Sequence, residues 1–494
     1  MGEKKNETSM KQIVKKLSLA LTLLAVCGWI WSCDKEDEKL KDLTVKFEQE
    51  TYTIEQGQSI EIPFSIGNVA GASVGVLVQS DNADEYPAAI SENSENEKGK
   101  GTITVTAPQY ILSPATVTVT VTATDEINKR TATGSVTVTS ATDEAYSEIT
   151  VPANCYIAAP GAIVKFPAHI GNTEALASFA TASLLWQDKT GLVNQIMARP
   201  AEKAVVVVLN PEIEGNALVG VKDADGEIVW SYHLWITSSD PRPDVNAGAK
   251  TLVYTDTTTN VTYEVMDRYL GAVSNKPGSD ASNGLFYQWG RKDPFAASNY
   301  ENALKDVYDI DGNVVERIVT PVEQSDNIAT SIKNPTTHYS GVGGGNYSWI
   351  SSNKGELPAK KIADLWGGVS GTQTMYDPCP AGWRVAPSEA WKFYNDKKIT
   401  VEKVFKNSEE GNANLQGRLF DGFWFPAQGE VPHGGKFTNG IGSNWPNGKA
   451  WSSSIDADNY RAWATSSSPT SVSWRGGIGF GYGLPVRCVR VTNG

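Results

Sequence analysis

The sequence predicts a mainly β, multidomain protein in which two β-sandwiches precede a loop-rich C-terminal domain. Three observations support this prediction. The chain has 494 residues, enough for about three domains of ordinary size. Apolar and polar residues alternate with period two through much of the first half, as they do in half-buried strands. In the last 245 residues this alternation fades, and ten of the fifteen tryptophans occur there among Gly/Asn/Ser-rich stretches.

The first 33 residues resemble a bacterial lipoprotein signal. A lysine-rich segment precedes the apolar run Leu17–Ile30, which is too short to span a bilayer comfortably. The residues Ile30–Cys33 resemble a lipobox, which implies removal of residues 1–32 and acylation of the Cys33 thiol. An ordinary signal peptide and an uncleaved anchor are the alternatives.

A short acidic run, Asp34–Glu38, follows the cysteine. It resembles the surface-export signal of Bacteroidetes lipoproteins, although most runs of charge are solvated linkers. We expect residues 33–42 to form an acidic tether and the protein to be lipid-anchored in the cell outer membrane, facing the exterior. The net charge of −13 gives no support to nucleic-acid binding, because nucleic-acid binders concentrate positive charge.

Residues 43–140 are predicted to form an immunoglobulin-like β-sandwich. Short segments in which β-branched or aromatic residues alternate with polar ones recur along this region. They include Leu43–Phe47, Ile60–Ile66, Ile103–Val105, Val117–Val121 and Val136–Val138. About seven short strands in roughly 100 residues are typical of this sandwich, so we interpret the region as a stalk module.

Residues 147–237 are predicted to form a second β-sandwich after a short polar joint. Asp223–Gly226 supplies turn-forming residues between two of its strands. The same residues could begin a calcium loop, but the glutamate that an EF-hand needs six residues after the glycine is absent, which favours a hairpin turn. The predicted strands are Ala162–Phe166, Ala204–Leu209, Ala217–Val221 and Ile228–Ile236.

Residues 249–494 contain five ordered motifs that resemble a known family. The motifs are Met266–Ala272, Gly284–Phe295, Tyr376–Val385, Trp451–Ser454 and Pro485–Arg490. Together they resemble the Fibrobacter succinogenes major paralogous domain, common in Bacteroidetes surface lipoproteins, over half of the chain. Asn154–Ile157 and Trp230–Trp235 are similar to the β module that often precedes this domain.

The resemblance implies a loop-rich α+β, C-type-lectin-like fold that is also related to formylglycine-generating enzymes. It implies no settled activity. One departure is Val385–Ser388, where the family tends to have Val-Pro-Thr. The extra residue shifts the turn before a helix that we expect near Ser388–Tyr394, without threatening the fold.

The five cysteines divide by their place in the chain. Cys27 leaves with the signal segment and Cys33 is acylated. Cys379 and Cys488 lie in the two best motifs of one domain, and we predict that they form a disulfide, which an oxidising compartment permits. Cys155 is then a buried small hydrophobic residue rather than a nucleophile. No cysteine pair remains for the chemistry of oxygen-dependent formylglycine-generating enzymes.

We predict that the protein is not an enzyme and uses no metal or cofactor. The sequence has no His-Glu-x-x-His zinc motif and no Gly-x-Ser-x-Gly nucleophile elbow. Glycosidases use two facing carboxylates, and nothing in the sequence pairs the candidates. These candidates are Asp364, Glu389, Asp421, Glu430 and Asp456. The Glu-Pro-Asn and Gln-Pro-Asp triplets of calcium-dependent lectins are also absent, and Trp445–Gly448 is only a weak match to their Trp-Asn-Asp.

A loop region dense in aromatic residues is the candidate ligand-binding surface. Apolar rings beside amide and carboxylate groups suit a ligand pocket, and sugar CH faces stack on such rings. The candidates are Trp424, Gln428, Glu430, His433, Trp445, Asn447 and Trp451. The alternative is that the aromatic members are core residues, which we favour for Trp424 and Trp451, whereas Trp445 and His433 are as readily exposed as buried. We predict a non-catalytic recognition head that binds a glycan or a surface protein; the alternative is a structural or assembly component of the cell surface.

Overall fold

The chain divides into two compact units, Met1–Thr142 and Asp143–Gly494. No described helix is long and apolar enough to cross a membrane. Cys33 and the signal segment lie outside the described residues. The computed structural model describes residues 40–69, 74–91, 98–112, 114–141, 146–299, 303–322, 327–341, 347–351, 362–405, 416–436, 448–456 and 461–493.

The described part of the first unit is a sandwich of two four-stranded sheets, with strand orders β1-β3-β6-β5 and β2-β8-β7-β4. Neighbouring strands are antiparallel, except that β2 runs parallel to β8. This is the strand order of an immunoglobulin-like domain, as predicted. The strands are β1 (Thr44–Phe47), β2 (Thr51–Thr53), β3 (Ser59–Gly67), β4 (Val74–Ser80), β5 (Ala88–Ile90), β6 (Lys100–Thr106), β7 (Ala115–Asp125) and β8 (Arg130–Ser140).

Alternating valine and threonine residues determine how β7 and β8 pair. Across the two strands, Val117 lies opposite Val138 and Val119 opposite Val136, and all four are buried. The intervening outward positions are filled almost entirely by threonine and serine, which suit the pleated surface of a sheet. A register slip of one residue would expose the valines, so the alternation specifies the pairing.

The first part of the second unit is another sandwich with the same strand order, except that its first strand pairs parallel rather than antiparallel with its neighbour. Its sheets have the orders β10-β16-β15-β12 and β13-β14-β11-β9. The predicted turn Asp223–Gly226 joins β15 to β16, and the Asp223 carboxylate accepts the backbone N–H groups of Asp225 and Glu227. The strands are β9 (Ser147–Glu148), β10 (Cys155–Ala158), β11 (Ile163–Pro167), β12 (Thr181–Gln187), β13 (Val193–Arg199), β14 (Ala204–Leu209), β15 (Gly215–Lys222) and β16 (Ile228–Ile236).

The C-terminal region combines several small sheets with short helices. Its described strands are β17 (Thr251–Asp256), β18 (Val261–Met266), β19 (Phe286–Gln288), β20 (Val319–Pro321), β21 (His338–Ser340), β22 (Arg384–Val385), β23 (Val401–Phe405), β24 (Gln416–Phe420), β25 (Phe423–Pro426), β26 (Gly448–Asp456), β27 (Arg461–Ser467), β28 (Val472–Ile478), β29 (Gly483–Pro485) and β30 (Cys488–Asn493). Helix α1 spans Ile328–Lys333, and the helix expected near Ser388–Tyr394 is a 3₁₀ helix, Ser388–Asn395. Two further 3₁₀ turns are Pro200–Glu202 and Asp280–Ser282.

The sheets of the C-terminal region pair strands that are far apart in sequence. The largest has the order β17-β18-β30-β22, so the last described strand lies between two others. The remaining sheets are β19-β29, β20-β21, β23-β24-β25 and β26-β27-β28. The protein is therefore mainly β and multidomain, as the sequence predicts, with a loop-rich C-terminal region.

The second sandwich and the C-terminal region share one hydrophobic core. Strand β16 is buried on both faces: Trp230 packs inside the sandwich, whereas Trp235 packs in the same cluster as Trp289 and Cys379 of the C-terminal region. Cys155 also forms a parallel β-bridge to Pro380. The predicted segments 147–237 and 249–494 are consequently two regions of one compact unit, because the outer face of the β16 sheet is itself apolar.

Candidate functional site

Two of the candidate binding residues, Trp424 and Trp451, are core residues. Both are at most 2% exposed. The Trp424 indole N–H donates to the Ser282 hydroxyl at 3.1 Å, and that of Trp451 donates to the Tyr287 carbonyl at 2.7 Å. The expectation that these rings form part of a binding surface is corrected: their N–H groups are satisfied within the protein, and their faces pack against neighbouring side chains.

Gln428 and Glu430 are also buried and act within the fold. The Gln428 amide accepts the backbone N–H of Gly284 and donates to the carbonyl of the same residue, both at 2.8 Å. Glu430 pairs with Lys449 at 2.5 Å and is fully buried. The prediction that both residues contact ligand is therefore wrong. They instead join segments that are distant in sequence, because a buried polar group must find its partners inside the protein.

His433 lies at the edge of a small aromatic cluster. Its ring stacks on Tyr347 with centroids 3.9 Å apart, and Tyr482 lies 5.6 Å away. Burial lowers the pKa of His433, which favours the neutral imidazole. Trp445 and Asn447, the other two candidates, lie outside the described residues.

Two motif arginines are buried, and neither hydrogen-bonds a carboxylate among the residues that the structure describes. Arg291 donates to the carbonyls of Thr337 and Pro335. Arg487 donates to the carbonyls of Asp267 and Trp424, and its guanidinium lies 3.6 Å from the Phe425 ring centroid. These motif residues therefore hold loops in place through backbone carbonyls and cation–π contacts.

The predicted disulfide between Cys379 and Cys488 is present, and Cys155 is a buried free thiol. Burial raises the pKa of Cys155 well above its ordinary value, which disfavours the reactive thiolate. The adjacent Asn154 donates to the carbonyls of Met375 and Asp377 at 2.8 and 2.9 Å. The motif around Cys379 is thus anchored to both the C-terminal strand and the second sandwich.

A serine, a lysine and an aspartate meet where the sandwich contacts the C-terminal region. Lys292 Nζ lies 2.5 Å from the Ser231 hydroxyl and 2.6 Å from the Asp293 carboxylate, and the hydroxyl donates to that carboxylate at 2.6 Å. Burial lowers the pKa of Lys292. All three side chains are at most 3% exposed, so the trio links the two regions and offers no surface to a substrate.

The carboxylates considered for glycoside hydrolysis have structural partners. Asp364 accepts the backbone N–H groups of Val369 and Ser370, and Asp421 accepts that of Thr400. Within the described part of the chain, no group of three or more His, Cys, Asp or Glu side chains could hold a metal ion.

A concave site occurs elsewhere, on the C-terminal region beside the second sandwich. It is a pocket of about 480 Å³, within the range of small-ligand sites. Its apolar wall comprises Trp186, Phe295, Leu304, Val307, Val314 and Val315. Its charged lining comprises Lys305, Asp306, Glu316, Arg317 and Lys436.

Two irregular hairpins position this pocket. In one, Ser298 bridges Leu304; in the other, Tyr308 bridges Val314 and also Gln187 of β12. The second hairpin turns at Asp309–Asn313, where the Asp309 carboxylate accepts the N–H groups of Asp311 and Asn313. Gly312 has φ +84° there, a conformation that favours glycine.

The charges of the pocket are unequally paired. Lys305 pairs with Asp280 at 3.0 Å, whereas Arg317 and Lys436 have no ion-pair partner among the described residues. Arg317 as a residue is exposed, yet desolvation lowers the pKa of its guanidinium and no carboxylate opposes this effect. The exposed Asp306 and Glu316 therefore do not neutralise it.

Comparisons with known proteins give no family. No protein-family model matches the chain, and no curated protein matches it. Similar solved structures include domains 4 and 5 of the S-layer protein SbsC, at 15% identity over 20% of this chain and 50% of that chain, with a TM-score of 0.16. Others are SbsC domains 4–9 (13% identity, 55% of this chain, 37% of that chain, TM-score 0.16) and zebrafish RET cadherin-like domains 1 to 4 (12%, 40%, 51%, 0.14). This chain thus spans about half or less of each, and these TM-scores support no statement about function.

No motif in the sequence marks the pocket. Its lining comes from segments around residues 295–317 that match no motif beyond Phe295. Four exposed aliphatic residues, Ile310, Val314, Ile318 and Val319, are spaced along this polar segment without the alternation of a half-buried strand, and Val314 among them lines the pocket.

Proposed function

We propose that the second unit is the non-catalytic recognition head of a surface lipoprotein and that it binds a glycan or a surface protein. The observation that carries this proposal is the 480 Å³ pocket. It combines an apolar wall with charged side chains in its lining, the arrangement expected of a ligand site. The motif residues Trp289, Arg291, Trp383, Trp451 and Arg487, by contrast, are buried and support the fold.

The membrane anchor and the family are part of the same proposal. The lipobox-like residues ending at Cys33 and the acidic run after it support acylation and surface display in a Bacteroidetes-type outer membrane. The five ordered motifs support membership of the Fibrobacter succinogenes major paralogous domain family. The first unit then serves as a spacer between the anchor and the head.

Acylation is testable on the chain itself. A cell expressing the protein should incorporate an alkyne-labelled fatty acid into it, and Cys33→Ala should abolish the labelling. Labelling that persists in Cys33→Ala would contradict the lipobox interpretation, and Cys27→Ala provides a matched control expected to label normally.

Recognition is tested by blocking the pocket in the full chain. Val314 lines the pocket and is 60% exposed, so Val314→Trp adds bulk there without disturbing the core. Val253, on β17, is similarly exposed at 58% and lies outside the pocket; Val253→Trp is the matched control.

Glycan arrays and immobilised surface-protein fractions should show binding that Val314→Trp removes and Val253→Trp keeps. Binding that both variants retain would exclude the pocket as the recognition site. Concentration-dependent self-association abolished by Val314→Trp, measured by analytical ultracentrifugation, would instead favour the structural or assembly role.

A further inference from the structure

Aliphatic side chains are exposed along the segment that contains the pocket residue Val314. Ile310, Val314, Ile318 and Val319 are 47%, 60%, 51% and 40% exposed. All four belong to one ten-residue segment, and Val319 lies against the loop at Gly435 that leads to Lys436 of the pocket lining. Clustered apolar exposure of this kind marks a surface that a partner covers.

The aromatic residues of the pocket do not offer ring faces for stacking. Trp186 is 3% exposed and Phe295 is 6% exposed. Because a sugar binds an aromatic wall through an open ring face, the accessible surface here suits aliphatic contacts better than saccharide stacking. This consideration favours a polypeptide over a glycan as the occupant.

The unpaired cations indicate what should lie beside the apolar group. Arg317 and Lys436 line the pocket without ion-pair partners among the described residues, whereas Lys305 is already matched by Asp280. The two exposed carboxylates of the lining, Asp306 and Glu316, would attract a basic group, but neither pairs with Arg317. An acidic group of the partner therefore belongs at Arg317. A carboxylate on the partner would satisfy Arg317 through paired charged hydrogen bonds.

We propose that the pocket binds a polypeptide segment that inserts an aliphatic side chain and places an acidic residue against Arg317. The inference rests on the proposed recognition function and names its partner class. The exposed aliphatic segment 310–319 covers the flanks of the bound peptide, and Lys436 adds a second positive charge near its acidic group.

The test uses the purified full chain and an array of eight-residue peptides. Each peptide carries Leu, Ile or Val beside Asp, Asn or Lys. We expect the Asp series to bind at least about tenfold more tightly than the Lys series, since a charged hydrogen bond contributes on the order of one tenfold step or more. Arg317→Gln should remove this preference, and Val314→Trp should remove binding.

Matched controls separate the possible results. Lys398 is exposed and outside the pocket, so Lys398→Gln should leave peptide binding unchanged, as should Val253→Trp. Equal binding of the Asp and Lys series would overturn the proposed acidic partner. Pocket-dependent binding of glycans with no bound peptide would overturn the polypeptide proposal while retaining recognition. If Val314→Trp alters neither peptide nor glycan binding, the recognition function of the pocket fails as well.

Discussion

Arg487 shows how a motif residue can be essential to the fold without touching a ligand. It is fully buried and donates to the carbonyls of Asp267 and Trp424 while its guanidinium lies over Phe425. Burial lowers its pKa to about 10, so it still carries its charge at neutral pH. The role of Arg487 in the motif Pro485–Arg490 is therefore to pack the core rather than to bind a ligand.

Replacing this arginine should destabilise the second unit strongly. Arg487→Ala leaves two carbonyls without donors and opens a cavity, so we expect the free energy of unfolding to fall by about 3–5 kcal/mol. Chemical denaturation measures the change. Arg461→Ala, at an exposed position, should change it by less than about 0.5 kcal/mol. A similar small effect at Arg487 would contradict the structural role.

Asp377 should make stability depend on pH. Burial raises its pKa from 3.8 to about 7, so between these values the folded state holds a proton that the unfolded state releases. Its contribution to the free energy of unfolding is therefore complete below about pH 3.8 and is lost as the pH rises through 7. The Asp377→Asn variant should lack this pH-dependent contribution to the free energy of unfolding.

The measurement is the difference between the denaturation profiles of wild type and Asp377→Asn from pH 4.5 to 7.5. The difference is needed because burial lowers the pKa of His233 and of His338 to about 3. These histidines change stability in the opposite direction, losing their contribution as the pH falls below 6.5. Parallel profiles for the two proteins would refute the assignment to Asp377.

At the scale of elements, strand β16 and the residue Asn154 explain why the second sandwich cannot be separated from the C-terminal region. Asn154 accepts the Trp230 indole N–H at 3.0 Å and donates to the carbonyls of Met375 and Asp377, at the start of the Cys379 motif. On the outer face of β16, Trp235 lies in the core that includes Met266 and Trp289. Removing the sandwich would expose that core.

A truncation tests this dependence. We expect the fragment 143–494 to unfold cooperatively and the fragment 249–494 to bind a hydrophobic dye and aggregate, because its share of the common core faces water. Circular dichroism and dye fluorescence distinguish the two fragments. Cooperative unfolding of 249–494 at the same temperature as 143–494 would show that the sandwich is dispensable.

Local patterns in the sequence predict the two sandwiches well. Strands β14 and β16 occur at their predicted bounds, because alternating or continuous apolar runs and the turn at Asp223–Gly226 are local signals. The sheets of the C-terminal region are not predictable this way: β18 pairs with β30 more than 200 residues later, and no local pattern encodes that partnership.

The candidate binding residues were misjudged for a related reason. Gln428 and Trp424 stand among aromatic and loop residues, which suits a binding surface and a core equally. Their partners Gly284 and Ser282 are over 140 residues away, so burial follows from long-range contacts. The pocket, conversely, is built by segments such as 303–307 that carry no distinctive residue type.

On the scale of the whole molecule, the two compact units should unfold independently. The first has its own core between its two sheets, and the second has the shared core described above. Calorimetry of the full chain should give two transitions, one for each unit. The fragment 40–142 should reproduce the transition of the first unit. Arg487→Ala should lower the temperature of the transition of the second unit alone. A shift of both transitions would show that the two units unfold together.

The central position of β30 has a consequence for how the protein is made. Strand β18 keeps an unpaired edge until Val489, its partner opposite Val265, has been synthesised. At translation rates of about 5–20 residues per second this takes roughly ten to forty-five seconds, during which an open strand edge can recruit other chains. The first unit pairs strands less than 90 residues apart and can fold as it emerges. Chaperone supply and translation speed should therefore govern the yield of the second unit far more than that of the first.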